Sequence, residues 1–341
     1  MRILAIETSC DETAAALIEA QNFQPVIHTN VIASQIDVHA ETGGVVPNTA
    51  ARLHTENLPR VLHEATKAKR LDYDAVAVTV GPGLVGCLLV GMSAAKTIAM
   101  AKKLPFFAIN HLEGHIYSAW LEQKAPPELP ALIIIVSGGH TDLVLMERHL
   151  YYQHLGRTRD DAAGEAFDKV ARLLGLPYPG GPALSELAIH GDELAFPFPI
   201  SLNEQDSLEF SFSGLKGAVA HQVAKLPDPL PRHTAADIAA SFQKTVSETI
   251  KRKMLRALQE NPGVKTVCLV GGVAANKHLR HSLEHALNQE QPQIRFVVPD
   301  FKYCTDNAAM IGAAAVYHHL FGRADDWASV EADPNLELGI G

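Results

Sequence analysis

Two histidines that could bind one metal ion together stand four residues apart in the segment HLEGH, where Glu113 lies between His111 and His115. Histidine pairs with a nearby glutamate form the ligands and the catalytic base of zinc proteases. In those enzymes the glutamate directly follows the first histidine or directly precedes the second. Here Glu113 is two residues from each, about 200° around a helix from His111, so it points away from the face that the histidines share. The spacing argues against a protease and leaves open what the histidines bind.

Two glycine-rich segments have the composition of phosphate-binding loops. The segment SGGH covers residues 137–140, and GGVAAN covers residues 271–276 directly before a predicted helix. Residues without a Cβ let backbone N–H groups approach a phosphate closely, and a helix N-terminus attracts an anion or a nucleotide. Each segment taken alone is equally compatible with a plain turn.

The elements that must position these residues repeat along the chain. The second half follows the first in the same order: a hairpin with a polar loop (2–20 and 131–147), a strand, glycine loop and helix (73–103 and 264–287), and a strand followed by a capped helix (105–120 and 294–320). Three matching pairs in one order indicate a duplicated α/β unit. We expect the equivalent loops of the two halves to converge on a cleft.

The repeat also predicts the domain boundaries. We expect an N-terminal lobe of residues 1–120 closed by a C-terminal helix at 307–322, a C-terminal lobe of residues 131–306 with insertions at 160–182 and 185–220, and a C-terminal tail of residues 323–341. The Pro- and acid-containing stretch HGDELAFPFPISLNEQDS predicts a loop inside the second insertion.

A third ligand for the histidine pair follows from the same correspondence. Asn110 is a good N-cap, so the helix of HLEGH is expected to start at His111. The equivalent helix of the second half starts near Asp306, which would then face the same cleft. Two histidines and one carboxylate suit Fe(II) or Zn(II). The alternatives are that Asp306 is a simple helix cap and that one histidine is exposed while the other is hydrogen-bonded in the core.

Composition excludes several classes of protein. With 341 residues, 47% hydrophobic and 20% charged, the chain is long enough for about two ordered globular domains. A net charge of −9 argues against a dedicated nucleic-acid coat. RNA stays possible as a substrate, because local basic stretches such as KRKMLR (251–256) can meet phosphates, although such a patch is usually a solvated helix face.

The sequence gives no sign of secretion or of a membrane. Its start, MRILAIETSC, runs into a strand-like pattern without the features of a signal peptide. We expect no apolar stretch to reach the roughly 18 residues of a membrane span. The four cysteines are scattered singly, which is typical of reduced thiols in a cytoplasmic protein.

A set of ten short segments carries a resemblance to one family. In chain order they are ETSCDET, GGVVP, GPGLVG, HLEGH, VSGGHT, DDAAGEAFDK, YPGGP, FSFSGLK, GGVAAN and CTDNAAMIG. Over roughly residues 1–322 the chain resembles the TsaD family of tRNA threonylcarbamoyladenosine transferases, once called O-sialoglycoprotein endopeptidases. The resemblance implies the fold of actin-like ATPases, sugar kinases and Hsp70, with two duplicated RNase H-like lobes around a cleft.

The same resemblance implies a reaction and its participants. The family transfers a threonylcarbamoyl group from threonylcarbamoyl-AMP to N6 of adenosine 37, in tRNAs that read codons beginning with A. It implies one divalent metal per subunit, with Fe(II) favoured and Zn(II) possible. The implied partners are tRNA and accessory subunits, namely a TsaB-like paralogue and a TsaE-like ATPase, and no membrane.

Matching motif by motif, the resemblance also implies site residues. The metal ligands would be His111, His115 and Asp306. The adenylate would be contacted by backbone amides of Val136, Ser137, Gly138, Gly139 and His140, and the nucleotide also by Asp168, Gly181 and Asn276. The alternative for Asp168 is an acid on a helix surface.

The implied chemistry needs few catalytic groups. An exocyclic adenine amine is a poor nucleophile, whereas a mixed carbamic–phosphoric anhydride is already activated. The protein must therefore orient both partners and stabilise the negative charge that develops. Asp11 or Glu12 is the candidate for receiving the amine proton. The alternative is that both residues only order their loop or its waters.

Two segments depart from the family pattern. The usual GGVVPE.AS is GGVVPNTAA here, with Asn48 and Ala51 in place of glutamate and serine. The glycines and Pro47 remain, so the loop should form, but a role for a carboxylate at position 48 in binding a partner or tRNA is in doubt. The pattern FSFSGLKT is FSFSGLKG, a milder change.

Other functions on the same fold compete with the transferase. One is an ATP-dependent binding or chaperone-like module, and another is a paralogous scaffold subunit, which typically lacks the histidine pair. A sugar kinase would need a catalytic aspartate beside a sugar pocket. The fold does not separate these functions, whereas the set of motifs favours the transferase.

Overall fold

In the computed structural model the chain divides into two compact units. The first comprises Met1–Pro127, Arg148–Tyr152 and Pro299–Gly341, and the second comprises Glu128–Glu147 and Gln153–Val298. The structure describes residues 1–67, 72–202 and 207–339. Residues 203–206 of the predicted insertion 185–220, and residues 340 and 341 of the predicted tail, lie outside the described residues.

Within the part of the chain that the structure describes, ten strands form two mixed sheets. The strands are β1 Arg2–Glu7, β2 Glu12–Gln21, β3 Gln24–Ser34, β4 Ala75–Gly81, β5 Phe106–Asn110, β6 Ala131–Val136, β7 Thr141–Arg148, β8 Tyr151–Arg157, β9 Thr266–Val270 and β10 Arg295–Val297. The first sheet has the order β3-β2-β1-β4-β5, and the second has the order β10-β9-β6-β7-β8. If the strands of each sheet are numbered from the first one in the chain, both sheets have the order 3-2-1-4-5. This shared order confirms the predicted duplication.

Ten α-helices accompany the strands within the described residues. They are α1 Ile36–Ala40, α2 Pro47–Lys67, α3 Val85–Lys102, α4 His111–Ser118, α5 Ala163–Leu173, α6 Gly180–Ala188, α7 Ser213–Val223, α8 Arg232–Glu260, α9 Lys277–Glu290 and α10 Ala308–Phe321. Short 3₁₀ turns occupy Gly272–Ala275 and Phe301–Tyr303. Helix α2 begins at Pro47, as expected for proline in the first helical position, and it follows the intact glycines of GGVVP.

The centre of each sheet is its most apolar part. Strand β1 lies antiparallel to β2 and parallel to β4, and β6 lies antiparallel to β7 and parallel to β9. All residues of β4, β6 and β9 are buried, which explains why these segments are continuous apolar runs without alternation. None of the four cysteines, all of which are described, forms a disulfide, in line with the expectation of reduced thiols.

Helix α10 belongs to the first unit although it follows the second sheet in the chain. It contacts α4 and strands β1 to β3, and its residues from Ala308 to Tyr317 are all buried. A Cβ on Gly312 would lie 2.3 Å from Ile18 Cγ1, so only glycine allows this close packing on β2. The first unit thereby receives the residues just before α10, which include Asp306.

The C-terminal segment after α10 covers the edge of the first sheet. The backbone N–H of Asp325 donates to Phe106 O at 2.8 Å, and its carboxylate accepts from the N–H of Ala108 at 2.8 Å. Further along, the Asn110 amide donates to Glu337 O at 3.0 Å. An edge strand that would otherwise present free backbone groups is thus paired.

Helix α3 corrects one expectation from the sequence. It has 18 residues with a mean hydropathy of 1.3, which by length and composition alone is enough to cross a membrane. The statement that no apolar stretch reaches this length is therefore wrong for α3. A core helix of a globular unit has the same signature, and α3 packs one face on β4 through buried residues that include Leu88, Met92 and Ala95.

Candidate functional site

Helix α4 presents the two histidines as the sequence predicts. Asn110 Oδ1 accepts from the N–H of Leu112 at 2.8 Å, so the helix is capped and begins at His111. The rings of His111 and His115 lie with their centroids 4.7 Å apart on one face. Between them, a Cβ on Gly114 would lie 2.7 Å from Ile311 Cδ1. The glycine of HLEGH therefore lets α10 lie directly against α4.

Asp306 lies with the two histidines and is not a helix cap. Helix α10 is capped by Asn307, whose side chain accepts from the N–H of Met310 at 3.0 Å. Asp306 Oδ1 lies 3.5 Å from His111 Nε2 and 3.2 Å from His115 Nε2. The three ligand atoms lie within 4.8 Å of one another. All three residues belong to the first unit, where the structure brings them together.

At this cluster, despite burial, the pKa of His111 is raised and the pKa of Asp306 is lowered, because each group stabilises the charge of the other. Burial by itself would lower the pKa of His111, but the carboxylates of Asp306 and Glu7 outweigh burial and raise that pKa well above its usual value. Burial would likewise raise the pKa of Asp306, yet the two neighbouring histidines hold it far below its usual range. An ionised carboxylate beside two imidazoles is the donor set that divalent transition metals prefer.

His115 supplies an independent test of whether these residues fit a metal. Its side chain is only 1% exposed, and within the described residues neither ring nitrogen has a hydrogen-bond partner, although Nε2 lies near Asp306. Burying a polar group without a partner is costly. A metal ion between the histidines and Asp306 would satisfy the Nε2 atom, so the residues fit the metal that the sequence predicts.

Glu7 is a member of the site that sequence reasoning missed. This fully buried carboxylate ends β1, and its Oε2 lies 3.2 Å from His111 Nδ1, the ring nitrogen opposite the ligand atom. It also accepts from the hydroxyl of Thr79. Burial would raise the pKa of Glu7, but His111 reverses this and lowers it. Such a carboxylate fixes the orientation of a metal-binding imidazole. The sequence signal that could have identified Glu7 is an acidic residue at the end of a largely apolar strand.

Asp11 lies on the loop after β1 and Glu12 is the first residue of β2, and their environments differ. Asp11 is buried, and Glu12 is partly buried with its Oε1 3.2 Å from the hydroxyl of Ser34. Burial first, and then the charges of Asp306 and Asp11, raise the pKa of Glu12 to about 10. Both causes favour the protonated form of Glu12.

Glu113 points away from the ligand atoms. Its Oε2 lies 3.0 Å from His318 Nε2 on α10, so it ties the two helices together on the side opposite the histidine pair. This placement agrees with the direction expected from helical geometry, and it leaves the protease without its base.

In the second unit, the predicted nucleotide loop forms a tight turn after β6. The N–H of Ser137 donates to His140 O at 2.8 Å. Gly138 and Gly139 are exposed, and no atom lies within 4 Å of the position that a Cβ would take on either one. Space for a ligand is therefore open beside the backbone of both glycines.

Two further segments meet this turn. Gly271, which begins GGVAAN, has φ +92°, and a Cβ there would lie 2.5 Å from Val136 O. The N–H of Gly164, in the first turn of α5, donates to Ser137 O at 3.2 Å. The positive end of α5 thus lies at the turn, which favours an anion there.

Asp168 and Gly181 are also brought together. Asp168 Oδ1 accepts from the N–H of Gly180 at 2.9 Å and from that of Gly181 at 3.2 Å, so the carboxylate lies at the N-terminus of α6. The hydrogen bonds explain why an acid on α5 is not simply a surface residue. They hold the PGGP turn in place.

The side chain of Asn276 is engaged within the protein. Its Oδ1 caps α9 by accepting from the N–H of Leu279 at 2.9 Å. Its Nδ2 donates to Ser185 Oγ at 2.9 Å and to Gln243 Oε1 at 2.8 Å. A nucleotide contact through this amide, as predicted, requires one of these bonds to be exchanged.

Comparison with known proteins decides among the functions that this geometry permits. Residues 26–313 match the family described as TsaD, tRNA N6-adenosine threonylcarbamoyltransferase. The chain is 47% identical over 342 residues to the protein of that name from Caldicellulosiruptor saccharolyticus, with 99% of this chain and 98% of that protein covered. It is 50% identical to the one from Halalkalibacterium halodurans, with 98% and 96% covered. The chain belongs to the TsaD family. It is therefore a transferase that forms threonylcarbamoyladenosine in tRNA.

Solved structures of more distant proteins confirm the predicted fold. HypF of T. kodakarensis matches with a TM-score of 0.65 at 15% identity, covering 94% of this chain and 48% of that one. Component A of the Acidaminococcus fermentans (R)-2-hydroxyglutaryl-CoA dehydratase matches with a TM-score of 0.52 at 16% identity, covering 93% and 97%. At such identities the likeness concerns the fold, which is the duplicated actin-like ATPase, sugar kinase and Hsp70 fold.

Within this TsaD family member, two acids of DDAAG have roles that the sequence did not predict. Asp160 accepts from the hydroxyls of Ser211 at 2.6 Å and Ser213 at 2.7 Å, and also from the N–H of Phe212 at 2.8 Å. Asp161 lies 2.6 Å from the Lys216 ammonium. The motifs DDAAG and FSFSGLK are therefore one structural unit, although about fifty residues separate them along the chain.

The basic stretch KRKMLR of this TsaD family member is largely neutralised. Lys251 and Arg252 form ion pairs with Glu248, and Arg256 pairs with Glu260. Lys253 is buried and donates to backbone carbonyls, including Leu202 O at 2.9 Å. This stretch is a solvated and paired helix face, so it offers little free positive charge for tRNA.

Proposed function

We propose that this chain transfers the threonylcarbamoyl group of threonylcarbamoyl-AMP to N6 of adenosine 37, in tRNAs that read codons beginning with A. The observation that carries the proposal is the cluster of His111, His115 and Asp306, with ligand atoms within 4.8 Å, in a chain of this family. A scaffold subunit or a chaperone-like module of the same fold has no need for such a cluster.

The metal ligands in this proposal are His111, His115 and Asp306. Bound there, Fe(II), or Zn(II) as the second possibility, would act as a Lewis acid toward oxygen atoms of the acyl phosphate. The contribution of the protein is to hold the ligands in place. Glu7 fixes the His111 ring from its Nδ1 side, and the pair of Glu113 with His318 joins α4 to α10, the helix that follows Asp306.

The adenylate in this proposal is held by the loops of the second unit. Backbone amides of Val136 to His140 would face its phosphate, supported by the positive end of α5 at Ser137. Asp168 would accept from ribose hydroxyls beside the PGGP turn that it holds at Gly181. Asn276 would act mainly by fixing the start of α9.

The transfer itself forms one bond and breaks another. The adenine N6 attacks the carbamoyl carbon, the bond from that carbon to the phosphate oxygen breaks, and AMP leaves with the electron pair. N6 must then lose a proton. We assign this proton to Asp11, because burial and the charges of Asp306 and Asp11 favour the protonated form of Glu12. Glu12 would instead donate a hydrogen bond within the loop.

The partners proposed are tRNA together with a TsaB-like paralogue and a TsaE-like ATPase, and the compartment proposed is the cytoplasm. Asn48 and Ala51, the departures from the family pattern, lie at the start of α2, directly after the GGVVP loop, and Asn48 is exposed. A partner or tRNA contact at this loop would have to work without the usual carboxylate.

One incubation tests the proposal. The chain, alone and with the accessory subunits, is mixed with tRNA and threonylcarbamoyl-AMP, and digested nucleosides are analysed by mass spectrometry. We expect one threonylcarbamoyl group on adenosine 37, with release of an equal amount of AMP. Unmodified tRNA under both conditions, while a relative from Halalkalibacterium halodurans modifies the same tRNA, would contradict it.

A further inference from the structure

A chain of buried polar side chains lies behind the loop that carries Asp11 and Glu12. Gln35, His39 and His54 are only 2%, 1% and 0% exposed. Buried imidazoles and amides are costly unless every polar atom has a partner. The partners of these three residues therefore indicate what the chain of side chains is for.

His54 is held in one tautomer. Its Nε2 lies 2.9 Å from Cys10 O, and since a carbonyl only accepts, Nε2 must carry the hydrogen. Its Nδ1 then accepts, and it faces two donors, the hydroxyl of Thr13 at 2.7 Å and the amide of Gln35 at 3.4 Å. Burial lowers the pKa of His54, which keeps the ring neutral.

Gln35 and His39 continue the chain without a conflict of donors and acceptors. The Gln35 amide nitrogen donates to Ala50 O at 3.3 Å as well as toward His54. Gln35 Oε1 accepts from His39 Nε2 at 3.2 Å, and His39 Nδ1 accepts from the N–H of Val46 at 3.4 Å. One set of hydrogen positions satisfies every contact, from the exposed GGVVP loop at Val46 inward.

The far end of this chain fixes the backbone beside Asp11. Cys10 O accepts from His54, and the next carbonyl, Asp11 O, accepts from the N–H of Gln35 at 3.0 Å. On the other side, Ser9 O accepts from the N–H of Leu84 at 2.8 Å. Of these three donors, only the one on His54 is a side chain, so it can be removed by substitution without altering the backbone.

We propose that His54 is a positioning residue for the loop of Asp11 and Glu12, and that Gln35 and His39 connect this loop to the backbone at Val46. The inference rests on the proposed catalytic role of Asp11. His54 touches neither substrate, so it acts only by setting where Cys10 O and the residues after it lie. A displacement of the GGVVP loop would then shift the loop of Asp11 through these hydrogen bonds, and so alter the rate of threonylcarbamoyl transfer.

Two isosteric substitutions separate positioning from packing. In His54→Gln the amide nitrogen replaces Nε2 and keeps the bond to Cys10 O. In His54→Asn the amide oxygen replaces Nδ1 and keeps the bonds from Thr13 and Gln35, but the bond to Cys10 O is lost. We expect His54→Gln to stay within about threefold of the wild-type kcat, and His54→Asn to lose about tenfold, the equivalent of one hydrogen bond. The KM for tRNA and the metal content should change in neither variant.

Rates come from transfer to tRNA with preformed threonylcarbamoyl-AMP, and Tm is measured for both variants. Equal kcat values for the two variants, or losses that follow Tm rather than the retained bond, would overturn the proposal for His54. If Asp11→Asn is fully active, the catalytic role of the loop fails instead, and this outcome is separate from the comparison of His54 variants.

The connection to Val46 has its own test. His39→Asn keeps an acceptor for the N–H of Val46 and loses the donor to Gln35. We expect a loss of about threefold in kcat, and no further loss when His39→Asn is combined with His54→Asn, since the broken bond lies on the same path. Losses that multiply in the double variant would overturn the connection.

Discussion

The loop after β1 and the loop after β6 occupy the same place in two sheets of identical strand order, yet they are chemically opposite. The first loop, ETSCDET, begins with a buried glutamate and contains Asp11 and Glu12. The second, VSGGHT, contains two exposed glycines and no carboxylate before Asp142. In the first unit α4 supplies imidazoles and the segment before α10 supplies Asp306, and in the second unit the surrounding helices supply N-termini with backbone N–H groups.

The difference shows how one backbone pattern can support two kinds of binding. A metal needs ionised or strongly dipolar side chains, and in the proposed function the first unit supplies its ligands from α4 and from the residue before the cap of α10. An adenylate needs N–H donors and space, and in the proposed function the second unit supplies these through glycines and helix starts. If this division of tasks is right, substitutions in each unit should fail in different assays.

The largest effect is expected from removing both histidines of α4. His111→Ala with His115→Ala should abolish stoichiometric metal and reduce transfer by orders of magnitude, because two of three ligands are gone. Metal content is measured by elemental analysis, and folding by circular dichroism. His281→Ala with His285→Ala is the matched control, since this pair also stands four apart on one helix. Full metal content in the α4 variant would break the assignment.

The next largest effect separates the two acids of the first loop. Asp11→Asn should lower kcat by about 10²- to 10⁴-fold, the usual value of a general base. Glu12→Gln should cost about tenfold or less, because burial favours the protonated form of Glu12 and glutamine can still donate a hydrogen bond. Rates at saturating tRNA measure both. The reverse order of losses would exchange the roles of the two residues.

A moderate effect on stability is expected in the second unit. Asp160→Asn should lower the free energy of unfolding by about 1 kcal/mol at pH 7, since Asp160 holds residues 211–213 but does so from an exposed position, where solvent screens its charge. Burial opposes ionisation, but the bonds from Ser211 and Ser213 lower the pKa of Asp160 in the folded state.

The lowered pKa of Asp160 determines how its contribution to stability depends on pH. A lowered folded pKa gives stability that is present above the ordinary aspartate pKa of about 3.9 and is lost as the pH falls through the folded value. The difference between wild type and Asp160→Asn in urea unfolding should therefore shrink below about pH 4. The exposed Asp228→Asn is the control. A difference that stays constant down to pH 2 would contradict the role of the carboxylate.

The smallest effect is expected for Glu113. Glu113→Gln should change kcat by less than about threefold, because glutamine can keep a hydrogen bond to His318 and the side chain points off the ligand face. A loss of several orders of magnitude would mean that Glu113 is a catalytic base, and would revive the protease interpretation.

Several features of the fold and site followed from the sequence because local patterns specify them. The start of α4 at His111 came from the cap Asn110, and the duplicated sheets came from three repeated pairs of segments. The prediction of Asp306 as a third ligand came from treating the starts of α4 and α10 as equivalent. Each of these depends on spacing within one short segment, or on one segment repeated.

Other features could not be predicted because they depend on contacts between distant segments. Strands β3 and β8 were not identified, since neither stands out as a buried apolar run. The position of Glu7 behind His111 depends on residues 104 positions apart. Likewise, the bonds of Asp160 to Ser211 and of Asn276 to Ser185 arise only when the second unit folds. Sequence position gives no direct measure of such proximity.

One paired measurement tests the division between the two units most directly, namely metal content and AMP affinity in Asp306→Ala and Asp168→Ala. Asp168→Ala should weaken AMP binding by about 1–3 kcal/mol, the loss of a hydrogen bond to a charged group, and should keep its metal. Asp306→Ala should lose the metal and lose turnover, with AMP affinity falling less than in Asp168→Ala. Calorimetric titration of AMP and elemental analysis give both readouts. If Asp306→Ala keeps its metal, or if Asp168→Ala loses it, the account of a metal unit and a nucleotide unit is contradicted.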